Sequence, residues 1–151
     1  SKEGNKEAIK FPKAMISDGY DFSFSGLKSA VLNYVNSAKM KDEPINVADI
    51  AASFQHTVVE VLVTKTMALA KAEGITKIAL AGGVAANSGL CEGMSEACKK
   101  HGFTLYHPSK ILCTDNAAMI GSAAYYEYLR GSRADMTLNA VPNLTIGQKA
   151  Y

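Results

Sequence analysis

Two short stretches carry residue types that could hold a ligand. In "AGGVAAN", Ala81 to Asn87, two adjacent glycines follow an apolar run and an asparagine closes the stretch. Glycine has no β-carbon, so backbone at Gly82 and Gly83 can approach a bound molecule, and a helix start behind them offers N–H groups to an anion or polar ring. The Asn87 amide, placed just inside that helix, both donates and accepts, as reading a ribose or an adenylate requires. A plain tight turn with Asn87 facing water would carry the same residues. No lysine follows the glycines as in a Walker-type loop, and the full dinucleotide fingerprint is missing. The second stretch, "ILCTDNAAMI", sets Asp115 where an apolar run meets a small-residue helix. Thr114 can cap that helix, which puts Asp115 in its first turn, where negative charge suits the dipole. The alternative is a carboxylate ligand for a metal ion. A catalytic metal centre needs around three protein ligands, often including histidine, and none stands near Asp115 at ligand spacing.

The remaining reactive side chains read as structural. His56 falls in mid-helix, His101 at a helix end where a cation suits the dipole, and His107 in a loop before Pro108. Cys113 has no neighbouring base or cation to make a thiolate, so it reads as a small buried residue. Ser23 and Ser25 lack the Gly-x-Ser-x-Gly elbow of acyl-enzyme chemistry. No catalytic residue is assigned.

Composition narrows the class. At 151 residues the chain is read as a single domain, residues 1–151, long enough for a core. Three cysteines, an odd number without metal-finger spacing, suit a reducing cytoplasm better than a disulfide framework. No uninterrupted apolar run nears the ~20 residues that span a bilayer, and "SKEGNKEAIK" has no apolar signal core, so no membrane role is expected. A net charge of +2 leaves no strong nucleic-acid footprint.

The elements that must position these stretches follow from periodicity. "IKFPKAM" and "YDFSFSG" flank Asp18-Gly19 and read as two extended segments able to form a hairpin. Ser25 can cap a helix starting near Gly26, with Leu27, Ala30, Val31, Tyr34, Val35 and Ala38 on one face. Asn46 should cap a long helix over 47–72, with Asp49 in a capping-box-like position and Gly74 as terminator. Its buried face reads as Val47, Ile50, Ala51, Phe54, Val58, Val61, Leu62 and Leu69. A strand over 77–81, a helix over 87–100 with Leu90, Met94 and Ala97 inward, a strand over 103–106 and a helix over 116–130 complete the order. Gly102 and Gly131 close the two helices, and the tail from Ser132 reads as irregular. The result is an α/β layer whose strand-end loops, the usual place for ligands, include both stretches.

Taken together, "DFSFSGLKSAV", "IAASFQHTVVEVL", "LAGGVAANSGL" and "LCTDNAAMIGSAA" resemble the tRNA threonylcarbamoyladenosine (t6A) synthase family, also known as the O-sialoglycoprotein endopeptidase or glycoprotease family. The resemblance runs from about Phe11 to Leu129. It implies an actin-like ATPase fold (ASKHA, ribonuclease H-like) of two lobes, with this chain as most of the second, a mixed sheet with crossover helices. The implied activity is transfer of threonylcarbamoyl from threonylcarbamoyl-AMP to adenosine 37 of tRNAs that read ANN codons. Asn87 matches the family's adenylate-contacting asparagine, Gly82 and Gly83 line the same pocket, and Asp115 matches a metal ligand, usually of iron or zinc. The implied ligands are thus one divalent metal and threonylcarbamoyl-AMP or ATP.

Departures from the pattern are equally specific. The family's His-x-x-x-His metal motif and its Asp-x-x-Gly-Glu-Ala-Phe-Asp stretch are both missing from this sequence, and "NSGLCEGM" lacks the usual arginine. The chain alone is therefore expected to bind no metal tightly and to be inactive. The implied partners are tRNA, the chain's own N-terminal lobe and, in bacteria, a silent paralogue and a small ATPase. A non-catalytic adenylate-binding or assembly module is the alternative reading, and Asn87 with Asp115 favours the catalytic member. A metallopeptidase would want a His-Glu-x-x-His site that the sequence does not offer.

Overall fold

A computed structural model describes residues 1–145, 147 and 148. These divide into two compact units, Ser1–Thr114 and a second that begins at Asp115. In the first unit, the Asn46 side chain accepts from the N–H groups of Ala48 and Asp49 at 3.0 and 3.2 Å, satisfying two donors that a helix start leaves open. Helix α2, Val47–Ala72, follows with the expected bounds. Gly74, at φ 65°, turns the chain out of it, and Ile75 N–H bonds back to Ala70 at 2.8 Å. Helix α1, Leu27–Met40, also forms, but its cap is Gly26 at φ 80°, with no side-chain bond, rather than Ser25.

Strand β1, Lys77–Ala79, and strand β2, Thr104–Tyr106, lie parallel with Ile78 opposite Leu105. β1 is two residues shorter than the expected 77–81, although Leu80 N–H still bonds Tyr106 at 2.9 Å. Helix α3, Ser88–His101, makes the crossover and ends at Gly102, φ 69°. The buried cluster of Met67, Ala70, Ile78, Met94 and Cys98 ties α2, β1 and α3 together, with Phe103 and Leu105 packed against it.

Two expectations change. The segments around Asp18-Gly19 do not pair, so the sheet of the described residues is two-stranded and parallel, not mixed. Met15 and Gly19 both take positive φ, 56° and 53°. The carbonyls of Asp18 and Gly19 instead accept from the Lys65 ammonium at 2.7 and 3.1 Å. The buried face of α2 is also rotated from the predicted one. Val47, Phe54 and Leu69 are exposed, while Ser53, Thr57 and Lys65 are buried. The cause is the N-terminal segment, which straps across α2 through polar contacts. Ser53 Oγ accepts from Ile9 N–H at 3.1 Å and donates to Asn5 O at 3.2 Å, and Asp49 accepts from Asn5 N–H at 2.7 Å. Thr57 donates to Ser53 O at 2.9 Å. Among the described residues, α2 is the one helix long and apolar enough to cross a membrane. Here it packs between this strap and α3.

α2 and α3 approach closely at Gly89 and Gly93. A β-carbon on Gly93 would stand 2.9 Å from Val59 Cγ1 and 3.6 Å from Val63 Cγ2. Gly93→Leu is therefore expected to destabilise by about 1–2 kcal/mol after its helix-propensity gain. Gly93→Ala should stay within about 1 kcal/mol, as the gain offsets the contact. Urea unfolding followed by circular dichroism would measure both.

The second unit carries helix α4, Ala117–Leu129, capped by Asn116 and followed by turns. Arg130 pairs with Glu127 at 2.7 Å, and the Arg133 guanidinium sits 3.9 Å from the Tyr128 ring centre while bonding Tyr128 O at 3.0 Å.

Candidate functional site

The glycine turn is built as its residues dictate. Past β1, Gly82 takes φ 83° and ψ 174°, a backbone state that side chains disfavour. Residues Gly83–Ala86 form a 3-10 turn anchored by buried Ala85, whose carbonyl accepts from Cys91 Sγ at 3.1 Å. Beyond each glycine and its chain neighbours, no heavy atom of the described residues lies within 4 Å of where a β-carbon on Gly82 or Gly83 would stand. The backbone there is open to an approaching molecule.

Asn87 is the N-cap of α3, not its first helical residue as the sequence suggested. Its Oδ1 accepts from Leu90 N–H at 3.0 Å, and its Nδ2 donates across to Gln55 Oε1 on α2 at 3.5 Å. Its oxygen thus serves the helix start, and its nitrogen faces Gln55 on α2. Beside it runs a groove of about 370 Å³ lined by Ala51, Phe54, Val58 and Leu62 of α2 with Val84 and Leu90. Four residues of the stripe that periodicity assigned to the core form this wall, while Val61 is buried as expected.

Asp115 also differs from its expected local role. Thr114, Asp115 and Asn116 are three capping residue types in a row, and Asn116 takes the cap, its Oδ1 accepting from Met119 N–H at 2.8 Å. Asp115 therefore stands outside the helix, exposed, immediately before the cap. Among the described residues no group of three or more His, Cys, Asp and Glu side chains could close on one ion. Asp115 therefore stands as an isolated carboxylate among the described residues. Gly82, Gly83 and Asn87 are brought together in one turn of the first unit, and Asp115 opens the second.

The other reactive groups hold structural places. His56 faces Glu60 at 3.5 Å, His101 lies 6.2 Å from the Phe103 ring, and His107 Nδ1 lies 3.2 Å from Pro108 O. Cys113 is buried with Sγ 3.5 Å from Ser109 O. Burial pushes the Cys98 thiol up, which keeps it protonated and unreactive. Sequence reasoning missed Gln55 and Lys65. Only their placement on α2 opposite small or polar neighbours reveals them.

A two-stranded parallel sheet with a glycine turn at one strand's carboxyl end and an asparagine-capped helix behind it defines an α/β unit with an open strand-end turn. The chain belongs to the tRNA N6-adenosine threonylcarbamoyltransferase (TsaD) family, whose profile matches residues 1–122. It is 59% identical over 150 residues to a protein of that name from Clostridium botulinum strain 657, covering 99% of this chain and 44% of that protein. A Clostridioides difficile strain 630 protein of the same name is 58% identical over 149 residues, at 98% and 44% coverage. One from Clostridium beijerinckii is 56% identical over 150 residues, at 99% and 44%. The chain thus spans less than half the length of these relatives.

Proposed function

We propose that this chain is the second lobe of a two-lobed, actin-like tRNA N6-adenosine threonylcarbamoyltransferase of the cytoplasm. The full-length protein would transfer threonylcarbamoyl from its adenylate to adenosine 37 of tRNA, with a silent paralogue and a small ATPase as bacterial partners. Family membership over residues 1–122 carries the reading, and the geometry of the glycine turn supports it. Gly82 and Gly83 leave backbone open for the adenylate, and Asn87 offers it a fixed donor. Asp115 is assigned as the carboxylate this chain gives to a divalent iron or zinc ion whose other ligands lie in the rest of the protein. When bound, such an ion supplies Lewis-acid polarisation.

The test replaces a bacterium's own transferase with the full-length gene and assays digested tRNA for N6-threonylcarbamoyladenosine. Wild type should restore the nucleoside, and Asp115→Ala should abolish it while metal content of the purified protein falls. A restored nucleoside with Asp115→Ala at full metal content would remove Asp115 from the site. No nucleoside with wild type would refute the activity.

A further inference from the structure

The Asn87 amide has four hydrogen-bonding positions, two donors and two lone pairs. The Leu90 N–H at 3.0 Å can only donate, so the atom facing it is Oδ1 and the one facing Gln55 is Nδ2. Gln55 then presents Oε1, which also accepts from Ser1 Oγ at 3.1 Å. The Leu90 N–H fixes the Asn87 amide, and the orientation of Gln55 follows from the Nδ2 it then faces at 3.5 Å. Gln55 is itself held by close packing, since a β-carbon on Gly89 would fall 2.5 Å from its Nε2 and 3.2 Å from its Cδ. A side chain on Gly89 would push the Gln55 amide off its place. Two helices therefore clamp one amide, α3 through its first turn and α2 through Gln55.

We infer that Gln55 is a positioning residue for the site. It holds Asn87 so that the second Nδ2 proton is offered to the ligand in a fixed direction. The ligand atom there must then be an acceptor, such as a hydroxyl oxygen or a ring nitrogen lone pair, and not an N–H. Without Gln55 the amide keeps its Leu90 bond but swings about it, and the donor direction is lost. This inference rests on the adenylate-binding reading of Asn87, and its test separates the two.

The test measures ATP affinity of the full-length protein by titration calorimetry, with thermal melting alongside. Gln55→Met removes the acceptor while keeping a helix-forming side chain that suits the apolar groove. It should raise Kd about threefold to tenfold with little change in Tm, since a lost donor alignment costs about one hydrogen bond. The same substitution in an Asn87→Asp background should add nothing, because Gln55 acts only through the Asn87 donor. Equal effects in both backgrounds, or unchanged affinity in the single variant, would overturn the positioning role and leave the Asn87 site standing. Unchanged affinity in Asn87→Asp alone would remove the site itself, and the inference with it.

Discussion

Asn87→Asp is expected to weaken adenylate binding by the full-length protein about tenfold or more without lowering its stability. Aspartate caps a helix as well as asparagine does, so Oδ1 still takes the Leu90 N–H that the wild-type amide takes at 3.0 Å. Its charge also suits the start of α3. What disappears is the donor. The ligand acceptor loses one hydrogen bond, about 1 kcal/mol, and gains a carboxylate facing an anionic adenylate, which repels it further. Asn87→Ala makes the useful contrast. It removes donor and cap together, so affinity falls and the protein loses about 1 kcal/mol of stability. Titration calorimetry with ATP and urea unfolding on the same samples separate the two roles. A stability loss in Asn87→Asp equal to that in Asn87→Ala would show that the cap needs the amide.

Lys65→Ala is expected to cost on the order of 3 kcal/mol, the largest stability effect in the first unit. Lys65 is 1% exposed, and its ammonium donates to Asp18 O at 2.7 Å and Gly19 O at 3.1 Å. Truncation empties the space of three methylenes and the ammonium and leaves two carbonyls without their donor. Lys65→Met keeps most of the volume and loses only the polar contacts, about 1–2 kcal/mol. The order wild type, Met, Ala in urea midpoint would support this account. Lys65→Met as stable as wild type would mean that burying the ammonium costs what its hydrogen bonds return. The segment it pins holds the left-handed Gly19 and exposed Tyr20 and Phe22, so limited proteolysis there should quicken in both variants.

What was legible in the sequence had local physical causes. Asn46 and Gly74 fixed both ends of α2, because a cap and a left-handed terminator act within a few residues of themselves. The parallel pair and its crossover helix followed from two short apolar runs flanking an amphipathic one. The illegible parts depend on distant neighbours. Periodicity ranks faces by apolar content, yet α2 turns Ser53, Thr57 and Lys65 inward because the N-terminal strap and the Asp18–Gly19 carbonyls supply their partners. Gln55 meets Asn87 across a separation of 32 residues, and nothing local marks it.

The candidate site divides the same way. Gly82, Gly83 and Asn87 were readable as a strand-end turn, although the committed Oδ1 that makes Asn87 a donor was not. Near Asp115 the cap falls on Asn116 and not on Thr114 as expected, because three capping residue types stand in a row. The Asn116 backbone is extended, at φ −152° and ψ 151°, the conformation a cap requires. That frees the Asp115 carboxylate from any capping duty and leaves it exposed for a ligand.

The most direct measurement incubates the full-length protein, together with its silent paralogue and small ATPase partner, with threonylcarbamoyl-AMP, ATP and an unmodified tRNA that reads an ANN codon, then quantifies the nucleosides by mass spectrometry. Wild type should form N6-threonylcarbamoyladenosine, and at limiting threonylcarbamoyl-AMP Asn87→Asp should form it about tenfold more slowly or worse. No modified nucleoside with wild type, or equal rates for the two proteins at limiting donor, would contradict the account.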